Sequence, residues 1–273
     1  MQLYRGMDIG TAKLTAAERG DVPHHLLDVW PVTRTATAAD YQVVCREGID
    51  DLLARGRTPI LVGGSGLYLR AALDVLEFPG TDPELRTSLE AELARDGPLA
   101  LHARLAALDP AAATRMEPTN GRRVVRALEV VTLTGSMPGE LSSYDELYPT
   151  LYLGVDRPDL AERIAQRVDR MWQQGLVDEV RALEGEGLRD GVTSSRALGY
   201  AQVLAALDGR WDEAHARELT VTATRRFARR QRAWFGRDPR VQWLSPDRPL
   251  VDQALQLVSD AGWAVRPSGD PPS

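Results

Sequence analysis

The 273-residue sequence contains one cysteine, Cys45, so an intrachain disulfide framework is excluded. A lone thiol fits a reducing compartment, and a cytoplasmic location is expected. Four histidines, His24, His25, His102 and His215, stand at no zinc-ligand spacing except the adjacent pair, so no Cys/His zinc site is expected. No run of 18 apolar residues exists, and no membrane-spanning helix is expected. The first residues carry no basic stretch followed by an apolar one, so no secretory signal is expected either. The phosphate-loop pattern G-x-x-x-x-G-K-[ST] occurs nowhere in the chain. No internal repeat is apparent.

What is present is ordinary in bulk and uneven in detail. A hydrophobic share of 43% with 26% charged residues is enough to build a core, and the length allows one large domain or a core plus an insert. The net charge of −6 argues against a surface that is basic all over. Yet Arg225 to Arg240 reads "RRFARRQRAWFGRDPR", seven arginines against one aspartate. Such a block is a candidate anion or nucleic-acid surface, the alternative being a solvated helix face.

Element by element, the pattern is that of an α/β core with an insert. "LYRGMDIG" reads as a strand end and a turn. Ala36–Gly56 has helical apolar spacing, with Gly56 as its stop. Ile60-Leu61-Val62 reads as a buried parallel strand, followed by Gly63-Gly64-Ser65-Gly66 and a helix from about Leu67. Residues 82–143 are Ala-, Leu- and Arg-rich and break at Gly97-Pro98, Asp109-Pro110 and Pro118–Gly121. They are expected to form a helical insert. "LYLGV" then resumes the sheet, and a long helix with Gly175 in its interior follows. A further helix carries Arg225–Arg232, with Phe227 and Trp234 expected to bury. A strand at Val241–Leu244, a last amphipathic helix and a disordered tail at 266–273 complete the chain.

Six places are candidates for chemistry. The glycines at 63–66 sit between strand and helix, where backbone N–H groups meet an anion, although tight turning alone also calls for glycine. Arg122, Arg123 and Arg126 crowd a helix start, against the helix dipole. A salt-bridged surface with Glu129 is the alternative. Arg196 and Tyr200, at i and i+4, form a pair able to hold a phosphate and stack a base. Arg225, Arg229 and Arg232 line one helix face and suit a diphosphate or an RNA backbone. Arg163 and Arg167 repeat the spacing, with Asp159, Glu162 and Asp169 as available partners. Asp8 lies in a tight turn, where capping is the common use of Asp.

In their order, "MQLYRGMDIGTAK", "VPHHLLD", "AADYQ", "PILVGGSGLYLRAAL", "GRRVVRALEV", "RALGYAQ" and "TRRFARRQRAWF" resemble the tRNA dimethylallyltransferase (tRNA isopentenyltransferase) family from Met1 to about Leu244. Leu14 and Ser65 are small departures, where the family commonly has proline and threonine. The resemblance implies a P-loop-NTPase-like α/β fold with a parallel sheet, its core at 1–81 and 144–265, and an insert at 82–143 that grips the anticodon stem-loop. It implies transfer of dimethylallyl from dimethylallyl diphosphate to N6 of the adenosine beside the anticodon's 3′ end (position 37 of the tRNA). Mg²⁺ is the implied cofactor, and tRNA and dimethylallyl diphosphate are the implied partners. A single copy and no membrane association are expected. The resemblance assigns tRNA contact to Gln2, Ser65, Arg86, Arg122, Arg123, Val124, Val125, Arg126, Arg196, Ala197, Leu198, Gly199, Tyr200 and Ala201. It places Arg225, Arg229, Arg232, Arg163 and Arg167 near the diphosphate.

The family's pattern begins with a strand, a glycine-rich phosphate loop ending Gly-Lys-Ser/Thr, and an Asp-Ser-x-Gln motif whose aspartate is the base. The chain is therefore expected to be N-terminally truncated, starting at the third residue of that motif, with Met1 an internal methionine and no catalytic residue retained. A non-catalytic tRNA-binding protein is the alternative reading. An adenylate prenyltransferase is a further one, disfavoured by the insert.

Overall fold

The computed structural model describes residues 1–138 and 143–263. The proposed tail at 266–273 lies outside these. In chain order the elements are α1 (Ala16–Arg19), α2 (Ala38–Ala54), α3 (Gly66–Leu73), α4 (Pro83–Leu108), α5 (Pro110–Thr114) and α6 (Gly121–Thr134). Then come β1 (Tyr152–Val155), α7 (Leu160–Gln173), α8 (Leu176–Gly185), a short 3₁₀ turn (Leu188–Asp190), α9 (Tyr200–Leu207), α10 (Glu213–Phe235), β2 (Val241–Leu244) and α11 (Leu250–Asp260). They form two compact units. One comprises residues 1–73 and 148–273, the other residues 74–147.

In the larger unit β1 and β2 pair in parallel, Tyr152 opposite Val241 and Val155 opposite Leu244. Parallel strands need a crossover, and α7 to α10 supply it. A second parallel contact joins Tyr4 to Trp30, with Arg5 N–H on the Trp30 carbonyl at 2.9 Å and Trp30 N–H on the Leu3 carbonyl at 2.9 Å. One core gathers Tyr4, Met7, Trp30 and Val32 with Leu176, Val180, Leu183, Leu188, Tyr200 and Val203. It thus binds the first thirty residues to α8 and α9. A smaller core sets Cys45 and Ile49 of α2 against Ala72 and Leu73 of α3.

Helix boundaries follow from local chemistry. A capping box of Thr37 and Asp40 starts α2, and Asp212 caps α10 by accepting the His215 N–H. The expected single helix through Gly175 is two helices. Gly175 has φ +96°, a left-handed conformation that ends α7 and opens α8. The expected strand at Ile60–Val62 is absent. Ile60 and Val62 are 86% and 87% exposed, and no described residue pairs with them. A parallel strand is stable only between neighbours, so an apolar run without one stays open.

The smaller unit is all helical. Its limits, 74–147, are wider than the 82–143 read from composition. A bridge between Asp74 and Glu146, and Val75 N–H on the Asp145 carbonyl at 2.8 Å, close its two chain ends together. Asp82 caps α4 with Pro83 at the first helical position. The helix is interrupted at Gly97, whose φ is +80°, just before Pro98. Asn120 caps α6 and Gly135, with φ +86°, ends it. The apolar faces of α4 and α6 bury Leu89, Leu101, Leu105, Val124, Val125 and Leu128.

Candidate functional site

The candidate residues fall into groups that the fold treats very differently. In the helical unit, Glu129 is fully buried and receives both Arg86 and Arg126. Arg126 reaches it at 2.6 Å and also donates to the carbonyls of Gly80 at 3.0 Å and Pro79 at 2.6 Å. The Asp82 N–H adds a 3.1 Å bond to the same carboxylate. Burial pushes the Glu129 pKa up, but the two guanidinium groups and the Asp82 amide outweigh it and hold it below the usual range. Arg86 and Arg126, expected to contact RNA, are committed to this carboxylate. Val124 and Val125 were expected to do the same, but they are core residues, 0% and 2% exposed. Arg122 and Arg123 are different. They are exposed in the first turn of α6 and have no side-chain partner among the described residues.

In the larger unit, α7 and α10 lie side by side. Arg225 donates to the Ala161 carbonyl at 3.0 and 3.2 Å, and Arg217 pairs with Asp169 at 3.5 Å. One index rises by eight as the other falls by eight, so the helices run antiparallel. Arg232 pairs with Asp156, with its guanidinium 5.2 Å from the Trp243 ring centre. Arg163 pairs with Asp159 at 3.6 Å. Arg167, Arg226 and Arg229 are exposed and have no ion-pair partner among the described residues. Of the expected diphosphate row, Arg229 is therefore the member left open. Phe227 and Trp234 do not bury as expected and are 38% and 40% exposed. Phe227 lies beneath the Arg230 guanidinium, and Trp234 packs on the glycine loop.

That loop meets α10 closely. The Gln231 amide donates to the Gly64 carbonyl at 2.8 Å. A Cβ at Gly64 would fall 2.0 Å from Gln231 Nε2, and one at Gly66 would fall 1.8 Å from Trp234 Nε1. The glycines are required by this approach, which places exposed Ser65 beside the end of the arginine helix. Tyr68 turns inward, its ring 5.1 Å from that of Tyr41.

The segment Arg196–Ala201 departs most from expectation. α9 begins only at Tyr200, so Arg196 and Tyr200 do not share a helix face. Tyr200 is fully buried and cannot stack a base. Ala197 is buried as well, and Gly199 takes φ +89° at the helix start. Arg196 alone of the group is exposed, with Leu198 and Ala201 half-buried.

Around the first residues the fold uses groups that sequence spacing did not single out. Lys13 is the sole lysine in the chain, every other basic residue being arginine. Its side chain is 3% exposed, and its ammonium donates to the Tyr4 carbonyl at 2.9 Å and to Asp8 and Asp28 at 2.5 Å each. Three donors meet three acceptors, a geometry that suits a compact ammonium rather than a planar fork. Asp8 thus holds the turn rather than standing free. Ala12 and Asp28 take positive φ, +51° and +58°, which such contacts must hold in place. Gln2 donates its amide to the carbonyls of Thr11 at 3.1 Å and Ala12 at 3.2 Å. Glu179 of α8 accepts the N–H groups of Asp8, Ile9 and Gly10. An acidic residue in a first helical turn is commonplace, so no sequence signal marks Glu179.

Among the described residues no three His, Cys, Asp or Glu side chains converge as a metal site. No helix among them is long and apolar enough to cross a membrane.

Fold and site together define an α/β protein with a helical insertion and an arginine-lined helix set against a glycine loop. The family model described as IPP transferase matches residues 2–238, and the chain belongs to that family. It is 66% identical over 264 residues to a tRNA dimethylallyltransferase of Thermobifida fusca, covering 95% of this chain and 83% of that one. A Streptomyces coelicolor protein of the same name is also 66% identical, with 94% and 85% covered. The full-length tRNA isopentenylpyrophosphate transferase of Bacillus halodurans is similar in structure. Its TM-score is 0.67 at 38% identity, with 96% of this chain and 84% of that one covered. A eukaryotic dimethylallyltransferase seen acting on tRNA shares the fold at 23% identity and TM-score 0.77.

Two measurements check these assignments. Lys13→Arg forces a larger planar group into a filled site, and urea unfolding should show a loss of about 2 kcal/mol. Stability equal to the parent would refute the three-acceptor account. Glu129 has a folded pKa below the ordinary 4.5. Its pairing therefore adds stability that is complete above that pH and lost as the pH falls through the lower folded value. E129Q should cost about 3 kcal/mol at neutral pH and much less in acid. A cost independent of pH would contradict the pairing.

Proposed function

We propose that the chain acts in tRNA prenylation, binding the anticodon stem-loop and dimethylallyl diphosphate and transferring the dimethylallyl group to N6 of adenosine 37. The observation that carries this is 66% identity, over 95% of the chain, to a protein named tRNA dimethylallyltransferase. Geometry supports it at two places. Exposed Arg122 and Arg123 give α6 positive charge with no side-chain partner among the described residues, suited to phosphates. Exposed Arg226 and Arg229 lie on the helix that packs against the glycine loop, with Ser65 at its end.

In the reaction the N6 nitrogen bonds to the allylic carbon as the carbon–oxygen bond to the diphosphate breaks, and the N6 proton passes to a base, a role for which no residue of these 273 is assigned. The target base must leave its stack to reach the donor. Guanidinium groups stabilise the negative charge that builds on the departing diphosphate. Arg229 is the residue of the α10 row free to do so, with Arg163 and Arg167 on the neighbouring helix. Mg²⁺, where it takes part, would be held largely by oxygens of the diphosphate. In this reading Gln2, Ser65 and Arg196 are the RNA contacts of the larger unit. A cytoplasmic enzyme working as a single copy is the matching setting.

The test is fluorescence anisotropy with labelled anticodon stem-loop RNA, followed by mass spectrometry after addition of dimethylallyl diphosphate and Mg²⁺. Salt-sensitive binding and a dimethylallyl gain on the adenosine support this reading, and such a gain would overturn the expectation that no catalytic residue is retained. Binding without transfer would favour the RNA-binding reading instead. Equal binding of an unrelated hairpin, with no transfer, would overturn both.

A further inference from the structure

We propose that Glu179 is a positioning residue: its carboxylate fixes the turn at Asp8–Gly10 and, through that turn, holds Gln2 in place for the RNA. The RNA half rests on the reading of Gln2 given under Proposed function; the fixing of the turn does not.

Four donors converge on this carboxylate. Asp8 N–H reaches Oε2 at 3.1 Å and Ile9 N–H reaches it at 2.7 Å. Gly10 N–H reaches Oε1 at 3.2 Å, and the Tyr200 hydroxyl reaches the same oxygen at 2.5 Å. Three consecutive amides around one anion form a nest, here filled by a side chain more than 160 residues away in sequence. Hydrogen bonds to an ionised acceptor are the strong ones, so the turn is held firmly on its N–H side.

The carbonyl side of the same turn holds Gln2. Ala12 N–H returns to the Ile9 carbonyl at 3.0 Å and Lys13 N–H to the Asp8 carbonyl at 2.9 Å. The Thr11 hydroxyl donates to the Met7 carbonyl at 2.6 Å. This closes a rigid unit whose Thr11 and Ala12 carbonyls accept the Gln2 amide. The two acceptors identify that atom as the NH₂ group, which leaves Oε1 as an acceptor with no partner among the described residues. The connection therefore runs from α8 to the amides, from the amides to the carbonyls, and from the carbonyls to Gln2.

Tyr200 supports the arrangement from below. Its ring occupies the space of a Cβ at Gly10, which would fall 2.4 Å away. Burial and the adjacent Glu179 carboxylate push its phenol pKa up, so the hydroxyl remains a donor. The core-facing residues of α8 are Leu176, Val180 and Leu183, whereas Glu179 faces the turn. Its bonds thus serve a segment rather than the core. The positive φ of Ala12 adds strain that the turn would shed if released.

The experiment compares E179Q, Q2A and the double variant in the full chain, with Tyr200→Phe as a milder probe that removes one of four bonds. Without RNA, amide hydrogen exchange at Asp8, Ile9 and Gly10 should quicken at least about tenfold in E179Q, while α7 and α10 keep their protection. Y200F should quicken it about threefold. With labelled anticodon stem-loop RNA, E179Q should weaken binding about tenfold and add nothing in the Q2A background. Unchanged exchange would overturn the proposal, as would losses that multiply in the double variant or a Q2A variant that binds normally. If the unsubstituted chain fails to bind, the RNA reading falls, and the exchange measurement still decides whether Glu179 holds the turn.

Discussion

A cation drawn away from water must find its counter-charge inside the protein, and this constraint sorts the basic residues of the chain. Lys13 is nearly inaccessible and has two carboxylates and a carbonyl. Arg86 and Arg126 share buried Glu129. Arg225 and Arg232 are tied to α7 and to Asp156. These residues hold the fold. Arg122, Arg123, Arg226 and Arg229 have no such partner among the described residues and are exposed. Exposed, they keep their water and need no counter-charge from the fold. A block that reads as uniformly basic is thus divided by its neighbours into fasteners and open charges.

Close approach is the second organising feature. Gly64 and Gly66 let Gln231 and Trp234 press against the loop, so the loop and the arginine helix share one surface. Gly10 does the same for Tyr200. In both places a glycine admits a large side chain, and a polar bond then locks the contact, Gln231 to Gly64 and Tyr200 to Glu179. The segments of this chain that resemble the family are therefore partly motifs of packing. The buried valines of α6 make the same point, since they sit between arginines yet face the core.

Local chemistry was legible in the sequence, and long-range geometry was not. Apolar spacing and the Gly56 stop located α2, helices were expected over α6 and α10, and the breaks at Gly97-Pro98 and Asp109-Pro110 were readable as punctuation. Gly175 was visible but its left-handed φ was not, so one helix was expected where two exist. Ile60 and Val62 had the composition of a buried strand, but burial depends on neighbours that periodicity does not specify. The Arg196–Tyr200 pair failed for a related reason. Spacing places two residues on one face only if a helix joins them, and α9 starts too late. Glu179 acts across the chain, and nothing local distinguishes it from an ordinary surface charge; Lys13 meets partners only 5 to 15 residues away, but its burial is not visible in the sequence.

The arginines thus divide into those that hold the fold and those with no partner among the described residues. The most direct measurement is the salt dependence of anticodon stem-loop binding in two paired variants, R122Q/R123Q and R86Q/R126Q. Removing one arginine that neutralises a phosphate lowers the slope of log affinity against log salt by about one. A slope reduced by about two with unchanged melting is expected in R122Q/R123Q, and an unchanged slope with lowered melting in R86Q/R126Q. An equal reduction of slope in both pairs would contradict this division.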